Sequence, residues 1–152
     1  MKPFSLFLLL FAFLLFGFQS TDSGDVCNAK ELRLKCKPML APFAYDSSKI
    51  MHIHFGPKNQ RREVEVPLFF GEKYRLVFTS VSLQQPVIVE IYKKDYTHEK
   101  RELLFTSKDE NGKDFSFEPP RGMKVFVDYL IPAAQDPSNT TEGCVAFLLG
   151  YK

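Results

Sequence analysis

The sequence predicts an all-β protein: a single antiparallel β-sandwich of the jelly-roll type, with about eight strands and a short N-terminal helix after a signal peptide. Three observations support this fold class. Apolar and polar residues alternate through most of the chain after Lys49. Turn signals rich in Gly, Pro and Asn recur at short spacing. No helical segment separates the strands, which favours a sandwich or barrel over a parallel α/β sheet.

The N-terminus has the pattern of a secretory signal peptide, which we place at residues 1–20. Lys2 is followed by an apolar run from Phe4 to Phe18, and the next charge is Asp22. We expect cleavage between Ser20 and Gly24. The alternative is a retained anchor, although a membrane-spanning helix usually needs about 20 apolar residues.

Residues 21–48 form the predicted N-terminal segment, and residues 49–152 form the predicted β-sandwich domain. A weak helical pattern covers residues 27–37, where Asp25 is a candidate N-cap and Pro38 ends the helix. The predicted strands lie near residues 49–55, 64–68, 74–78, 87–92, 103–106, 115–117, 125–131 and 144–151. The uninterrupted β-branched run at 87–92 suits a central strand.

Three cysteines, Cys27, Cys36 and Cys144, predict one disulfide and one odd thiol if the chain is exported. Connectivity does not follow from spacing. We favour Cys36–Cys144, which would tie the N-terminal segment to the last strand, and Cys27–Cys36 is the local alternative. The spacings do not fit a zinc site.

His52 and His54 are the weak candidates for a metal site, because residues two apart share one face of a strand. If their strand pairs in a hairpin with residues 62–66, Glu63 and Glu65 lie opposite, and the four side chains could bind zinc or copper. The other interpretation is an exposed face with His–Glu cross-strand contacts. We predict no cofactor.

Three further patterns are weaker candidates for ligand binding. Asp109, Asn111 and Asp114 surround Gly112 like a fragment of a calcium loop, although a tight turn explains the same residues. Asn139 begins an N-glycosylation sequon, which matters only in a eukaryotic source. A loop with mixed charges could hold an anionic glycan; its basic residues are Lys93, Lys94, Lys100 and Arg101.

Composition and motifs exclude several function classes. The 20 basic residues, one of them in the signal peptide, nearly balance 18 acidic ones, so nucleic acid and anionic membrane surfaces are not indicated as partners. We also expect no stable membrane insertion after signal cleavage. No nucleophile elbow or phosphate loop is present. Trp is absent, which leaves Tyr92, Tyr96 and Phe126 as candidate outward aromatic residues for glycan binding.

Two family resemblances follow from particular segments. Residues 63–68, 71–75 and 88–92, with Phe115–Pro119 and Val125–Val127, resemble bacterial pre-peptidase C-terminal type β-sandwich domains. More closely, Lys49, residues 63–68, 71–74, 101–107 and the segments at 143–144 and 150–152 are similar to small uncharacterised exported β-sandwich proteins of Bacteroidota-type bacteria. The second resemblance implies a periplasmic or cell-surface location and no known activity.

Together these observations predict a non-catalytic, secreted or periplasmic module of the cell envelope that binds a protein or a carbohydrate. One alternative is a small metal-dependent hydrolase built on His52, His54, Glu63 and Glu65. Another is partner binding by edge-strand pairing, with the C-terminal strand at 144–151 as the candidate edge.

Overall fold

The computed structural model describes residues 27–110, 112–136 and 142–152. Over these ranges the chain forms one α-helix and eight strands. The helix is α1 (Ala29–Cys36), followed by a 3-10 turn at Lys37–Leu40. The strands are β1 (Ala44–Ile53), β2 (Gln60–Val66), β3 (Tyr74–Val81), β4 (Ile88–Tyr92), β5 (Leu103–Thr106), β6 (Asp114–Phe117), β7 (Val125–Ile131) and β8 (Gly143–Tyr151).

The strands form two four-stranded antiparallel sheets, which confirms the predicted all-β sandwich. The first sheet has the order β1-β8-β3-β6 and the second has the order β2-β7-β4-β5. Strand 1 pairs with 8, 2 with 7, 3 with 6 and 4 with 5. This is a long hairpin rolled into two layers, as in a jelly roll. The predicted central strand, β4, lies between β7 and β5.

The core lies between the two sheets and consists of the inward residues of each alternating strand. On β8 these residues are Val145, Phe147 and Leu149, and Phe147 stacks on Phe78 of β3 with ring centroids 5.2 Å apart. Inward residues of β4 and β7, such as Val89 and Tyr129, come from the second sheet. Alternating side chains therefore bury one face of each strand, as their sequence pattern predicts.

Helix α1 covers the outer face of the first sheet. Leu32, Cys36 and Leu40 pack on Ala146 and Leu148, the outward residues of β8. Strand β8 is thus buried on both faces, which explains why it is almost continuously apolar. The side chain of Asn28 caps the helix by accepting hydrogen bonds from the backbone N–H groups of Lys30 and Glu31. The predicted cap, Asp25, lies outside the described residues.

Two pairing predictions are wrong. The segment around His52 does not form a hairpin with residues 62–66, because β1 pairs with β8 and β2 pairs with β7 in the other sheet. The last strand is not an edge, because β8 lies between β1 and β3. The edges of the two sheets are β1, β6, β2 and β5. Alternation indicates which residues face the core, but it does not indicate which strands are neighbours.

The favoured disulfide is also wrong. The structure joins Cys144 to Cys27, with Cα atoms 6.0 Å apart, and leaves Cys36 as a free, buried thiol. The prediction that one bridge ties the N-terminal segment to the last strand is correct for Cys144 but not for its partner. Cys36 lies on the buried face of α1, in the same apolar cluster as the bridge, and burial raises the pKa of its thiol.

Candidate functional site

The four metal candidates do not come together. His54 Nδ1 lies 3.3 Å from a carboxylate oxygen of Glu142, and Glu65 forms an ion pair with Lys124 at 2.7 Å. Glu63 instead binds Arg101, with an N–O distance of 2.9 Å. The candidate histidines and glutamates lie apart because β1 and β2 belong to different sheets. Within the described ranges, no group of three or more His, Cys, Asp and Glu side chains has the arrangement of a metal site.

Some residues of the other candidate sites lie outside the part of the chain that the structure describes. Asp109 ends a 3-10 turn at Ser107–Asp109, and Asp114 begins β6, where its carboxylate accepts a hydrogen bond from Thr79. Asn111 and Asn139 lie outside the described residues, as does the predicted signal peptide. Among the residues that the structure describes, no helix is long and apolar enough to cross a bilayer.

The outer face of the second sheet carries a row of three carboxylates. Glu63 on β2, Asp128 on β7 and Glu90 on β4 are cross-strand neighbours, and we call them the carboxylate row. They point outward because their chain neighbours, such as Val64 and Val89, point into the core. Asp128 is fully buried and Glu90 nearly so. Buried carboxylates are expected to have charged or hydrogen-bonded partners.

Arg101, from the loop between β4 and β5, is the main partner of the carboxylate row. Its guanidinium donates to Asp128 at 2.6 Å and to Glu63 at 2.9 Å. Its Nε donates to the carbonyl of Lys94 at 2.9 Å, which closes the loop on itself. The guanidinium also lies over the Tyr92 ring, 3.9 Å from its centroid. The loop at residues 93–102 is therefore fixed across the sheet rather than free in solvent.

Burial of the carboxylate row changes the pKa of Glu63. Desolvation raises the pKa of this carboxyl, and the neighbouring Asp128 raises it further, while Arg101 and the backbone amide of Tyr96 act in the opposite direction. Tyr92 donates to Glu90 at 2.7 Å, and Lys108 lies 3.4 Å from Glu90. Every carboxylate of the row thus has a partner within the protein, and the row functions as a structural clamp.

Two adjacent phenylalanines are the most exposed large apolar side chains of the described residues. Phe69 is 73% exposed and Phe70 is 90% exposed. They lie in residues 67–73, the loop from β2 to β3, which we call the Phe69–Phe70 loop. The alternation of β2 indicated a buried Leu68, but it gave no reason to single out the next two residues. The available signal was a Phe-Phe pair directly before Gly71, at the turn.

The backbone of the Phe69–Phe70 loop is fixed although its side chains are exposed. Phe69 N–H donates to the hydroxyl of Tyr74 at 3.2 Å. Gly71 has φ +95°, a conformation that favours glycine. Gly122 approaches so closely that a Cβ there would lie 1.9 Å from the carbonyl oxygen of Phe69. At the loop's end, Lys73 and Lys152 exchange two backbone hydrogen bonds.

The aromatic residues predicted for glycan binding do not form a platform. Phe126 is 8% exposed, and Tyr92 is half-buried beneath Arg101. Of these three candidates, only Tyr96 is well exposed, at 62%. In the loop at residues 93–102, Lys93 pairs with Glu102 at 2.5 Å, while Arg101 binds the carboxylate row. Among the residues that the structure describes, Phe69 and Phe70 are therefore the most exposed aromatic side chains.

Comparisons with known proteins define no family for this chain. No family model matches it, and no curated protein matches it. A solved structure with a similar arrangement is that of Aeromonas hydrophila PliG, a periplasmic lysozyme inhibitor of g-type lysozyme. The sequences are 4% identical, the alignment covers 72% of this chain and 88% of that chain, and the TM-score is 0.43. A similarity of this extent supports no inference about the function of this chain.

Proposed function

We propose that this protein is a non-catalytic, exported module that binds a protein partner through the Phe69–Phe70 loop. The observation that carries the proposal is the exposure of Phe69 and Phe70, 73% and 90%, on a fixed backbone. Burial of a phenylalanine side chain contributes about 1.5–3 kcal/mol. Two such side chains side by side are the kind of anchor on which binding energy concentrates in protein interfaces.

Preorganisation of the loop supports binding rather than incidental exposure. A mobile loop would lose backbone entropy of about 1–2 kcal/mol per residue when it becomes ordered. Here the hydroxyl of Tyr74, the close approach of Gly122 and the bonds between Lys73 and Lys152 hold the loop before any partner arrives. A rigid loop therefore retains more of the apolar burial as affinity.

The charges beside the loop favour a protein over a membrane surface. Glu72 and Lys73 complete the loop, and Arg121 flanks Gly122. Lys124, in the same adjoining segment, is already paired with Glu65 at 2.7 Å. An interfacial membrane site carries mainly Lys and Arg around its apolar residues. Apolar anchors with a polar rim of both signs are typical of protein interfaces.

An exported location is part of the proposal. The Cys27–Cys144 bridge supports an oxidising compartment, because disulfides are rare in the cytosol. The N-terminal apolar run supports secretion through a cleaved signal peptide. The resemblance to exported proteins of Bacteroidota-type bacteria, which stays a prediction, would place the module at the cell envelope.

The test begins with benzoylphenylalanine incorporated at position 70, so that ultraviolet light cross-links the partner in the native exported fraction. The cross-linked protein is identified, purified and titrated with the unmodified module. We expect the double variant Phe69→Ser, Phe70→Ser to raise Kd at least about 100-fold, because anchors of this kind often contribute about 2 kcal/mol or more each. Leu34→Ser, which removes a 63% exposed side chain from α1, should leave Kd within about twofold.

Three results would overturn the proposal. The purified partner could bind the double variant as tightly as the original protein. Sedimentation could show a dimer that the double variant abolishes, which would make the occupant a second copy. Vesicles of anionic lipid could bind the original protein but not the double variant, which would make the loop a membrane anchor.

A further inference from the structure

A groove lies at the end of the sandwich opposite the Phe69–Phe70 loop, where β2 and β4 begin and β7 ends. Its volume is about 630 Å³, which is within the range of ligand sites. Ile88 and Leu130, cross-strand neighbours on the outer face of the second sheet, form an apolar floor together with Pro86 and Pro132. Carboxamide side chains surround the floor; they belong to Asn59, Gln60, Gln85 and Gln135. We call this site the amide-rimmed groove.

Hydrogen bonds hold the walls of the groove in place. Asn59 Oδ1 accepts from the backbone N–H of Ala133 at 2.8 Å. Gln85, in the amide orientation that satisfies both its groups, donates to the carbonyl of Ala133 at 3.1 Å and accepts from Gln135 N–H at 3.0 Å. Ala134 N–H donates to the carbonyl of Gly56 at 2.8 Å. The segment after β7 is thus tied to two other loops, and the groove exists before a ligand binds.

The groove has one charged side chain, that of Arg61. Arg61 Nε lies 3.6 Å from Asp128, but Asp128 is already bound more closely by Arg101, at 2.6 Å. The side chain of Arg61 is half-exposed, and no other ion pair of Arg61 occurs in the described part of the chain. A guanidinium with donors to spare beside an apolar floor matches a ligand carboxylate next to an apolar group.

We propose that the amide-rimmed groove binds the C-terminus of a peptide whose last residues are apolar. The apolar floor at Ile88 and Leu130 takes the side chains. Asn59 Oδ1 and Gln60 Nε2 are bonded within the protein, so the peptide backbone would use Asn59 Nδ2 as a donor and Gln60 Oε1 as an acceptor. Arg61 binds the terminal carboxylate. The proposal is independent of the Phe69–Phe70 loop, which lies at the other end of the strands.

Other ligands fit the groove less well. Sugar binding commonly uses aromatic faces, and none of the residues that line this groove is aromatic. A fatty acid also has a carboxylate and an apolar body, but its chain makes no hydrogen bonds to the polar rim. A peptide C-terminus uses the floor, the rim and the guanidinium together.

The test uses acetyl-alanyl-leucyl-leucine and, as its matched control, the same peptide with a C-terminal carboxamide. We expect the free carboxylate to bind at least about tenfold more tightly than the carboxamide, by calorimetry, with shifts of Ile88 and Leu130 resonances in NMR spectra. Arg61→Gln should abolish the difference between the two peptides. Arg33→Gln, which removes an exposed arginine from α1, should retain it.

Equal affinity for the two peptides would overturn the proposal, because the carboxylate would then contribute nothing. Absence of saturable shifts at about 10 mM peptide would overturn it as well. If octanoate binds more tightly than either peptide, the groove is a fatty-acid site instead. None of these results depends on the partner of the Phe69–Phe70 loop, so each proposal fails or stands separately.

Discussion

Arg101 is the residue on which the outer face of the second sheet depends. It neutralises Asp128, which is fully buried, and Glu63, which is largely buried. The pattern of the loop at residues 93–102 indicated only mixed charges, because the buried partners of Arg101 lie 27 and 38 positions away in the chain. The sequence thus indicates a solvated surface charge at Arg101, whereas the structure makes Arg101 part of a buried ion-pair network.

We expect Arg101→Ala to destabilise the protein by about 3–5 kcal/mol, because it leaves Glu63 without its cation and Asp128 with only the half-exposed Arg61, 3.6 Å away. The control is Lys124→Ala, which removes an exposed partner of Glu65 and should cost less than about 1 kcal/mol. Urea unfolding monitored by circular dichroism measures both. A loss below about 1 kcal/mol for Arg101→Ala would mean that water already solvates Asp128.

Glu63 gives the carboxylate row a dependence on pH. Because burial raises the folded-state pKa of Glu63, the folded protein binds a proton at pH values where the unfolded chain, with a pKa of about 4.3, does not. Stability therefore falls as pH rises from about 4.3 through the folded pKa. We expect the stability of the original protein relative to Glu63→Gln to fall across this window and then level. A relative stability that rises instead would show that Arg101 and the Tyr96 amide outweigh the effects of burial and of Asp128 on the pKa of Glu63.

At the scale of elements, the Phe69–Phe70 loop depends on a second loop that contains Gly122. A Cβ at this position would lie 1.9 Å from Phe69 O and 3.1 Å from Phe70 Cα, and both are backbone atoms. The exposure of the two phenylalanines is consequently set by backbone contact between two loops, not by the properties of the loop sequence alone.

We expect Gly122→Ala to displace the Phe69–Phe70 loop and to lower stability by about 1–3 kcal/mol through overpacking. The matched control is Gly56→Ala, whose Cβ would meet only the end of the Gln60 side chain, at 3.2 Å. Thermal unfolding gives the stabilities, and NMR shifts of Phe69 and Phe70 report on the loop. If both variants leave these shifts unchanged, the loop is not held by Gly122.

The elements also show which properties local sequence determines. In β2 the alternation of Val64 and Val66 with Glu63 and Glu65 indicates the inward face, since burial of one face requires a period of two. Strand β8 is apolar on both faces, so its sequence alone does not separate the core residues from those under α1. Helix α1 was recognised, but its cap is Asn28. The proposed hairpin of β1 with β2 is wrong because the jelly roll places these two strands in opposite sheets. The carboxylate row and the amide-rimmed groove join residues from distant segments, so no local pattern could reveal them.

At the scale of the whole molecule, the rolled hairpin separates two potential binding regions by the length of the sandwich. The loops after β2 and before β7 meet at one end, where Gly122 contacts Phe69. The loops before β2, before β4 and after β7 meet at the other end, around the groove. The core lies between the two ends, and helix α1 contributes no residue to the lining of the groove.

The N-terminal sequence and the disulfide together predict the covalent state of the exported protein. The natively exported protein should lack about 20 N-terminal residues, by intact mass. Peptide mapping should show Cys27 linked to Cys144, and one thiol, that of Cys36, should react only after denaturation because the residue is buried. The bridge spans 117 positions, so its reduction should cost about 4–5 kcal/mol in the chain-entropy model.

Reduction in the Cys36→Ser variant provides the control, since it excludes exchange with the third cysteine. A full-length mass with three reactive thiols would contradict both export and the bridge. The chain would then be in a reducing compartment, and the Phe69–Phe70 loop would need a partner there. A Cys36–Cys144 linkage would instead mean that α1 docks on β8 in a different register, because Cys36 and Cys27 approach Cys144 from opposite ends of the helix.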